Sequence, residues 1–273
     1  MRRIAHISDV HFGAHEPQAV EHLFRWLADE QPDLVVVSGD LTQRARRAQF
    51  AQADAFLRRI EAAGMPVLVV PGNHDVPLYD VVRRLLFPLR RYCRMIARGR
   101  SACYFDDEIA VLGLFSAHGL TIKDGRLTRV QIDSIGREFD ARAPRQAIRL
   151  LVTHHPLVPL PGDEEGQIEK ALRGAGRALA AVRDAHVHLV LAGHHHAAAV
   201  AIGGPQLSAD PQVLVVQAGT ATSYRRRGTP NSFNLLTIAP GTLAVDEYTS
   251  EGAPFTCSGR RAFVLDANGW RPA

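Results

Sequence analysis

The chain has 273 residues, 46% of them apolar and 22% charged, which suits a folded globular protein and is too apolar for a disordered one. Three cysteines (Cys93, Cys103, Cys257) are too few and too scattered for a disulfide framework or a thiolate zinc site. The formal net charge of +4 is concentrated, because residues 81–105 carry seven arginines (Arg83, Arg84, Arg90, Arg91, Arg94, Arg98, Arg100) and no acid. No run approaches the about 20 apolar residues of a membrane span. Met1-Arg2-Arg3 leads into Ile4-Ala5-His6-Ile7-Ser8-Asp9, not into the apolar core of a signal peptide. A soluble cytoplasmic protein is expected.

In chain order, short β-rich runs at 4–7, 34–37, 67–70, 110–115, 148–153, 187–191 and 213–217 read as buried strands, most ending in a polar or glycine-containing turn. Helical patterns lie between them. Residues 17–30 open on proline. Residues 43–63 place Phe50, Ala53, Leu57 and Ile60 on one face before Gly64. Residues 168–183 are rich in Ala, Leu and Arg. Such alternation predicts an α/β fold. After residue 213 the helices stop: 232–238 and 242–248 read as a hairpin about Pro240-Gly241, and 250–273 as a surface strand or C-terminal arm. One domain over 1–273 is expected, with 76–105 as an Arg-rich, cap-like insertion.

Histidine is the unusual residue, with 13 copies, seven of them in clusters just beyond the expected strands. Asp9 and His11 stand two apart, so in extended backbone they face the same side. Asp40 follows Gly39; alone it reads more readily as a helix N-cap. Gly72-Asn73-His74-Asp75 offers an amide oxygen, an imidazole and a carboxylate in three residues, and a plain turn has little use for that histidine. His154-His155-Pro156 and Gly193-His194-His195-His196 complete the set. Together the five clusters supply nitrogen and oxygen donors without thiolates, and more of them than one tetrahedral zinc needs. Two metals are the natural reading.

These five blocks, D-x-H, G-D, G-N-H-[DE], H-x-P and G-H-x-H in order from Asp9 to His196, resemble the calcineurin-like metallophosphoesterase superfamily. Gly125-Arg126-Leu127 with Gln131, and Ala218-Gly219-Thr220, are similar to its small bacterial cyclic-nucleotide and glycerophosphodiester phosphodiesterases. The resemblance implies a four-layer α/β/β/α sandwich of two mixed sheets with a dinuclear centre. It assigns Asp9, His11, Asp40 and His196 to one metal, and Asp40, Asn73, His154 and His194 to the other, with Asp40 bridging. It makes His74 the catalytic histidine and Asp75 its orienting partner, and leaves His155 and His195 at the x positions without a role. The metals would be two of Mn, Fe, Zn or Co. The activity implied is hydrolysis of a small phosphodiester by a hydroxide shared between the metals.

The arginine segment directly follows the Gly-Asn-His-Asp block. It reads as a solvated helix pair, as a substrate cap using Arg83, Arg84, Arg90 and Arg91, or as a peripheral contact with anionic lipid; the cap is preferred. Arg225-Arg226-Arg227 reads as a solvated loop. Alternatives to the phosphodiesterase are a pyrophosphohydrolase or phosphodiesterase acting on a lipid-linked substrate at a membrane, and a metal-binding module without catalysis. No stable nucleic-acid complex is expected, since the basic residues do not form an aromatic-interleaved groove and a chain ending at 273 leaves little room for a DNA-capping domain.

Overall fold

The apolar runs become strands buried on both faces, which explains why they show so little polar alternation. The computed structural model describes residues 1–158, 160–161, 168–169, 172–202, 213–225 and 228–273. Along the chain the elements are β1 (Arg2–Ile7), α1 (Pro17–Glu30), β2 (Leu34–Val37), α2 (Arg47–Ala62), β3 (Val67–Val69), α3 (Val81–Leu86), α4 (Arg90–Met95), β4 (Cys103–Phe105), β5 (Ile109–Gly113), α5 (Arg129–Arg142) and β6 (Ile148–Val152). They continue as β7 (Leu160–Pro161), β8 (Ile168–Glu169), α6 (Ala175–Asp184), β9 (Leu189–Ala192), β10 (Ala199–Ile202), β11 (Leu214–Gln217), β12 (Asn231–Ala239), β13 (Thr242–Ser250), β14 (Thr256–Asp266) and β15 (Gly269–Pro272).

Two mixed sheets form. One has the order β15-β14-β13-β12-β1-β2-β3 and the other β10-β11-β9-β6-β5-β4. In the first, β1, β2 and β3 are parallel and the C-terminal strands run antiparallel to one another. In the second, β5, β6, β9 and β11 are parallel, and β4 and β10 are antiparallel edges. Side chains alternate across each strand. Ala5, Ile7, Val35 and Val37 point to Leu23 and Leu27 of α1 and to Phe50 and Leu57 of α2. Ile4, Leu34 and Val36 point the other way, into a core shared with Val111, Leu150 and Leu189 of the second sheet. The far face of that sheet packs on Ile135 and Phe139 of α5 and Val182 of α6. The layers are therefore α/β/β/α, as the family resemblance implies.

Several local expectations change. The helix expected from 43 begins at Arg47, because Ala45 adopts a left-handed φ of 50°. The helix expected over 168–183 starts only at Ala175, after Gly174 at φ 91°; Ile168–Glu169 pairs with Leu160–Pro161 instead, and 170–171 lie outside the described residues. Helix α5 was not anticipated, although Thr128 and Gln131 make a reciprocal N-terminal cap at its start. Of the two expectations for 250–273, the structure takes the strand over the arm: β14, mostly exposed, and β15 extend the seven-stranded sheet, and Trp270 is fully buried between the sheets near Leu243 and Phe263. Among the described residues no helix is long and apolar enough to cross a membrane.

Because Trp270 fills the inter-sheet core, Trp270→Ala is expected to lower stability by about 3–5 kcal/mol. Urea unfolding measures this, and an unchanged midpoint would mean that β15 is dispensable to the sheet.

Candidate active site

The polar motifs follow the carboxyl ends of parallel strands from both sheets: Asp9 and His11 after β1, Asp40 after β2, Asn73 and His74 after β3, His154 after β6, and His194 and His196 after β9. Loops at such ends are where α/β folds build sites. The chain turns back sharply there. Asp9 (φ 52°), His11 (48°), Asp40 (50°), His194 (80°) and His196 (61°) are five of the eight non-glycine residues in left-handed backbone among the described residues. That conformation costs about 1–3 kcal/mol each for such residues and persists only when the surroundings enforce it. Glycine accompanies the turns for two separate reasons: Gly39 has φ 103°, and a Cβ on Gly72 would run into Asp40.

Hydrogen bonds tie the loops together, first within the seven-stranded sheet and then across the two sheets. Asp9 N–H donates to Gly39 O (3.1 Å) and His11 N–H to Asp40 O (2.9 Å). His194 N–H donates to Asp9 Oδ2 (3.1 Å), and His154 Nδ1–H to Ser38 O (2.8 Å). Thr220, within the Ala218-Gly219-Thr220 run, donates its hydroxyl to Asp9 O (2.7 Å).

Two donor sets result. In the first, Asp9 Oδ1 stands 3.2 Å from His196 Nε2 and 3.5 Å from His11 Nε2, and the two imidazole nitrogens face each other at 3.2 Å. In the second, Asn73 Oδ1 stands 3.1 Å from His154 Nε2 and 3.0 Å from His194 Nδ1, which are 3.3 Å apart. Asp40 Oδ2 lies between them, 3.8 Å from His11 Nε2 and 3.4 Å from His154 Nε2. All seven residues expected as ligands thus converge.

Their electrostatics call for cations. Burial alone would raise the carboxyl of Asp40, yet the imidazoles of His154, His74 and His11 hold it well below the usual carboxylate range. Asp9 is likewise held low, against its burial, by His196 and His11. His154 is pushed up to about 9: burial opposes its charge, but Asp40 outweighs burial. Asp9 Oδ1 is buried without a hydrogen-bond partner. With Nδ1 of His154 donating to Ser38 O and Nδ1 of His196 turned to Arg225 O (3.3 Å), both rings direct Nε2 inward, where a bound cation would take the place of the proton that the carboxylates otherwise favour there. Converging lone pairs and carboxylates of this kind fit metal ions, with the outer nitrogens setting the tautomers.

A cleft of about 320 Å³ opens over these donors. His74 lies on its wall, its ring edge-on to His11 with centroids 4.9 Å apart. Its backbone N–H donates to Asp40 Oδ1 (2.7 Å) and its Nδ1–H to Gln43 O (2.9 Å), which leaves its Nε2 without a hydrogen bond to the described residues. The side-chain oxygen of Gln43 accepts from Arg44 Nη1 (2.8 Å) and Arg225 Nη1 (3.0 Å). Val76, Leu78, Arg84, Ile122 and Lys123 supply further lining. Of the four arginines expected to meet substrate, only Arg84 borders this cleft. Arg83 pairs with Asp80 (2.8 Å), Arg90 lies over the Phe87 ring at 5.3 Å, and Arg91 donates to Ala45 O (2.7 Å). Sequence reasoning missed Gln43, Arg44 and Lys123; no motif marks them, and they reach the cleft only through folding. The sequence places Arg225 in a solvated loop, whereas it lines the cleft; Arg226 and Arg227 lie outside the described residues.

The expected pairing of Asp75 with the His74 ring is corrected. Asp75 is buried and turns away, accepting from Leu41 N–H (3.1 Å), Thr42 N–H (2.9 Å), Thr42 Oγ1 (2.9 Å) and Gly72 N–H (3.0 Å). Burial, with the charge of Asp40 nearby, raises its carboxyl to about 7. Asp75 therefore knits the Asp40 loop to the Asn73 loop. His155 gains a similar role: Ser116 Oγ lies 2.8 Å from its Nδ1, and its Nε2–H donates to Lys123 O (2.8 Å). With both nitrogens engaged, it fastens the loop that carries Ile122 and Lys123. His195 lines the cleft beside His194. Gln131 caps α5 and donates to Phe115 O (2.8 Å), away from the donor sets.

With this geometry in view, the chain is similar to several known proteins. A dimetal phosphatase from Danio rerio shares the fold with a TM-score of 0.65 at 12% identity, covering 93% of this chain and 98% of that one. Purple acid phosphatase PPD1 from yellow lupin (Lupinus luteus) does so with a TM-score of 0.68 at 14% identity, covering 96% of this chain and 53% of that one. In sequence, the DNA double-strand break repair protein Mre11 of Aeropyrum pernix is 31% identical over 90 residues; the match spans 28% of this chain and only 22% of the relative. The family model for calcineurin-like phosphoesterases matches residues 2–198, the stretch that carries every donor of the two sets, and the chain belongs to that family.

Proposed function

We propose that this phosphoesterase is a phosphodiesterase that hydrolyses a P–O bond of a small phosphodiester. The observation that carries the reading is the pair of donor sets sharing Asp40 beneath a cleft whose wall holds His74, Arg44 and Arg225. Asp9, His11, Asp40 and His196 would hold one cation, and Asp40, Asn73, His154 and His194 the other. Members of this family use divalent metal ions in a dinuclear site; donors without thiolate suit Mn, Fe, Zn or Co. When bound, two such ions supply Lewis acidity and lower the pKa of a water beside phosphorus.

The chain's own groups do the rest. Gln43 O fixes the Nδ1–H tautomer of His74, so its Nε2, once protonated, delivers the proton to the departing oxygen. Gln43 also holds Arg44 and Arg225 together, and their guanidinium groups neutralise the non-bridging oxygens. Val76, Leu78 and Ile122 offer an apolar lining beside Arg84 and Lys123. A cleft with both kinds of lining suits a phosphorus centre bearing two substituents, which favours a diester over a monoester.

Initial rates with Mn²⁺ on bis(p-nitrophenyl) phosphate, p-nitrophenyl phosphate, cyclic nucleotides, glycerophosphodiesters and nucleoside-diphosphate lipids test this. Since Mre11 is a DNA repair protein, single- and double-stranded DNA belong in the same panel. Diesters are expected to turn over faster than the monoester; a preference for the monoester would overturn the assignment.

His74→Ala is expected to keep the full metal content and lose about 10²–10⁴-fold in kcat, with elemental analysis run alongside the assay. An undiminished rate would remove His74 from the reaction. Asp40→Ala is expected to deplete both metals, and two bound ions in that variant would refute the shared ligand. Asp75→Asn places an NH₂ group against backbone donors; the expected outcome is reduced metal content and a lower melting temperature. If metal content and stability instead stay intact while the pH profile of kcat shifts, Asp75 orients His74 after all.

A further inference from the structure

Helix α3 is turned inside out. Its only buried side chain is Arg84, 7% exposed, whose guanidinium donates to the carbonyls of Pro77 and Thr121. Val81, Val82, Leu85 and Leu86 face water instead, Val82 at 70% exposure. A helix on the surface of a soluble protein normally shows the reverse pattern. Tyr79 and Phe87 flank the helix and are equally exposed.

The turn at 118–122 lies against α3, since a Cβ on Gly119 would meet the carbonyl of Arg84. This turn adds Leu120, 71% exposed, and Ile122. Eight of the eleven large hydrophobic side chains exposed among the described residues therefore gather in two adjoining segments. Exposed apolar groups concentrated like this mark an interaction surface.

Its surroundings indicate the partner. Arg83, Arg90, Arg91 and Arg47 lie on or near α3; Asp80 beside them is already committed to Arg83 and to the helix N-terminus, and Asp124, just beyond the 118–122 turn, is matched by the neighbouring Lys123. The Arg90 guanidinium sits over the ring of Phe87, so an apolar body carries a cationic rim. That combination fits a leaflet of anionic phospholipid, with apolar tips entering the acyl boundary and guanidinium groups at the phosphates. The surface also runs into the cleft, because Ile122 belongs to both and Leu78 and Arg84 continue the lining inward.

We propose that α3 and the 118–122 turn dock this protein on an anionic phospholipid surface, with the cleft opening toward the headgroups. The direction of the cleft matters only under the phosphodiesterase reading; the docking does not depend on it.

Co-sedimentation with vesicles of phosphatidylcholine, with or without an equal share of phosphatidylglycerol, tests the proposal. The wild-type chain is expected to sediment with the anionic vesicles, less so as salt rises, and to stay in solution with the neutral ones. The double variant Leu85→Ser, Phe87→Ser alters exposed residues outside the cleft. It is expected to lose binding at least about tenfold while keeping the wild-type melting temperature and rate on soluble bis(p-nitrophenyl) phosphate. Leu120→Ser on the neighbouring turn provides a second variant should the first fold poorly, and it too should weaken binding. The proposal is overturned if the wild type ignores both vesicle types, if the variants bind undiminished, or if the wild type is a dimer that the double variant dissociates, since a second copy would then cover the surface. Vesicle binding by a protein that leaves every ester intact still supports the docking and counts against the phosphodiesterase reading alone.

Discussion

Two carboxylates, Asp9 and Asp40, sit almost wholly out of water among four buried or nearly buried imidazoles. Removing such charges from solvent is costly unless partners of opposite charge stand in reach. The central part of the molecule is arranged around that requirement. Strands from two sheets end at one place, five donors lie in left-handed backbone, and hydrogen bonds from His194 to Asp9 and from His154 to Ser38 lock one sheet's loops to the other's. Neither sheet alone holds a full donor set. Asp9 and His11 need His196 from across the sandwich, and Asn73 needs His154 and His194.

Around this centre, neighbouring residues in one motif divide the work. In His154-His155, the first ring turns inward to Asp40 and the second turns outward to Ser116 and Lys123. In His74-Asp75, the histidine faces the cleft and the aspartate stitches the loops behind it. Adjacent side chains diverge at such turns, so consecutive polar residues can serve opposite sides of the same loop. The apparent surplus of histidines and acids in the motifs is what positions the donors.

The cleft is asymmetric for the same reason. Gln43 binds to the His74 ring through its backbone and to Arg44 and Arg225 through its side chain, making one rigid cationic patch. The other lining comes from the segment after the third motif, where Arg84 is drawn inward by two carbonyls and its helix shows aliphatic side chains to solvent. Burying one arginine thus adds a cation to the cleft and gives its rim an apolar character.

Much of this was legible in the sequence. Uninterrupted runs such as Leu34–Val37 announce strands covered on both faces, and the polar clusters announce themselves by following such runs, while the family resemblance picks Asp9, His11, Asp40, Asn73, His154, His194 and His196 from among them. These are local signals: apolar length, a turn residue, a donor at a strand end. What the sequence could not determine depends on contacts between distant segments. The 250–273 region reads as a surface strand or an arm because its apolar residues are sparse, yet Trp270, with Phe263, anchors it between the sheets. Asp75 looks like a partner for its neighbour His74 until four donors from residues 41, 42 and 72 claim its oxygens. Arginines 83, 84, 90 and 91 look equivalent, and only the packing of 118–122 on α3 turns Arg84 into the cleft and leaves the others at the rim. Local chemistry therefore determined which residues could hold metal. Tertiary structure alone decided which cations line the cleft and which side chains hold the loops, because a side chain's partner is set by what folds against it.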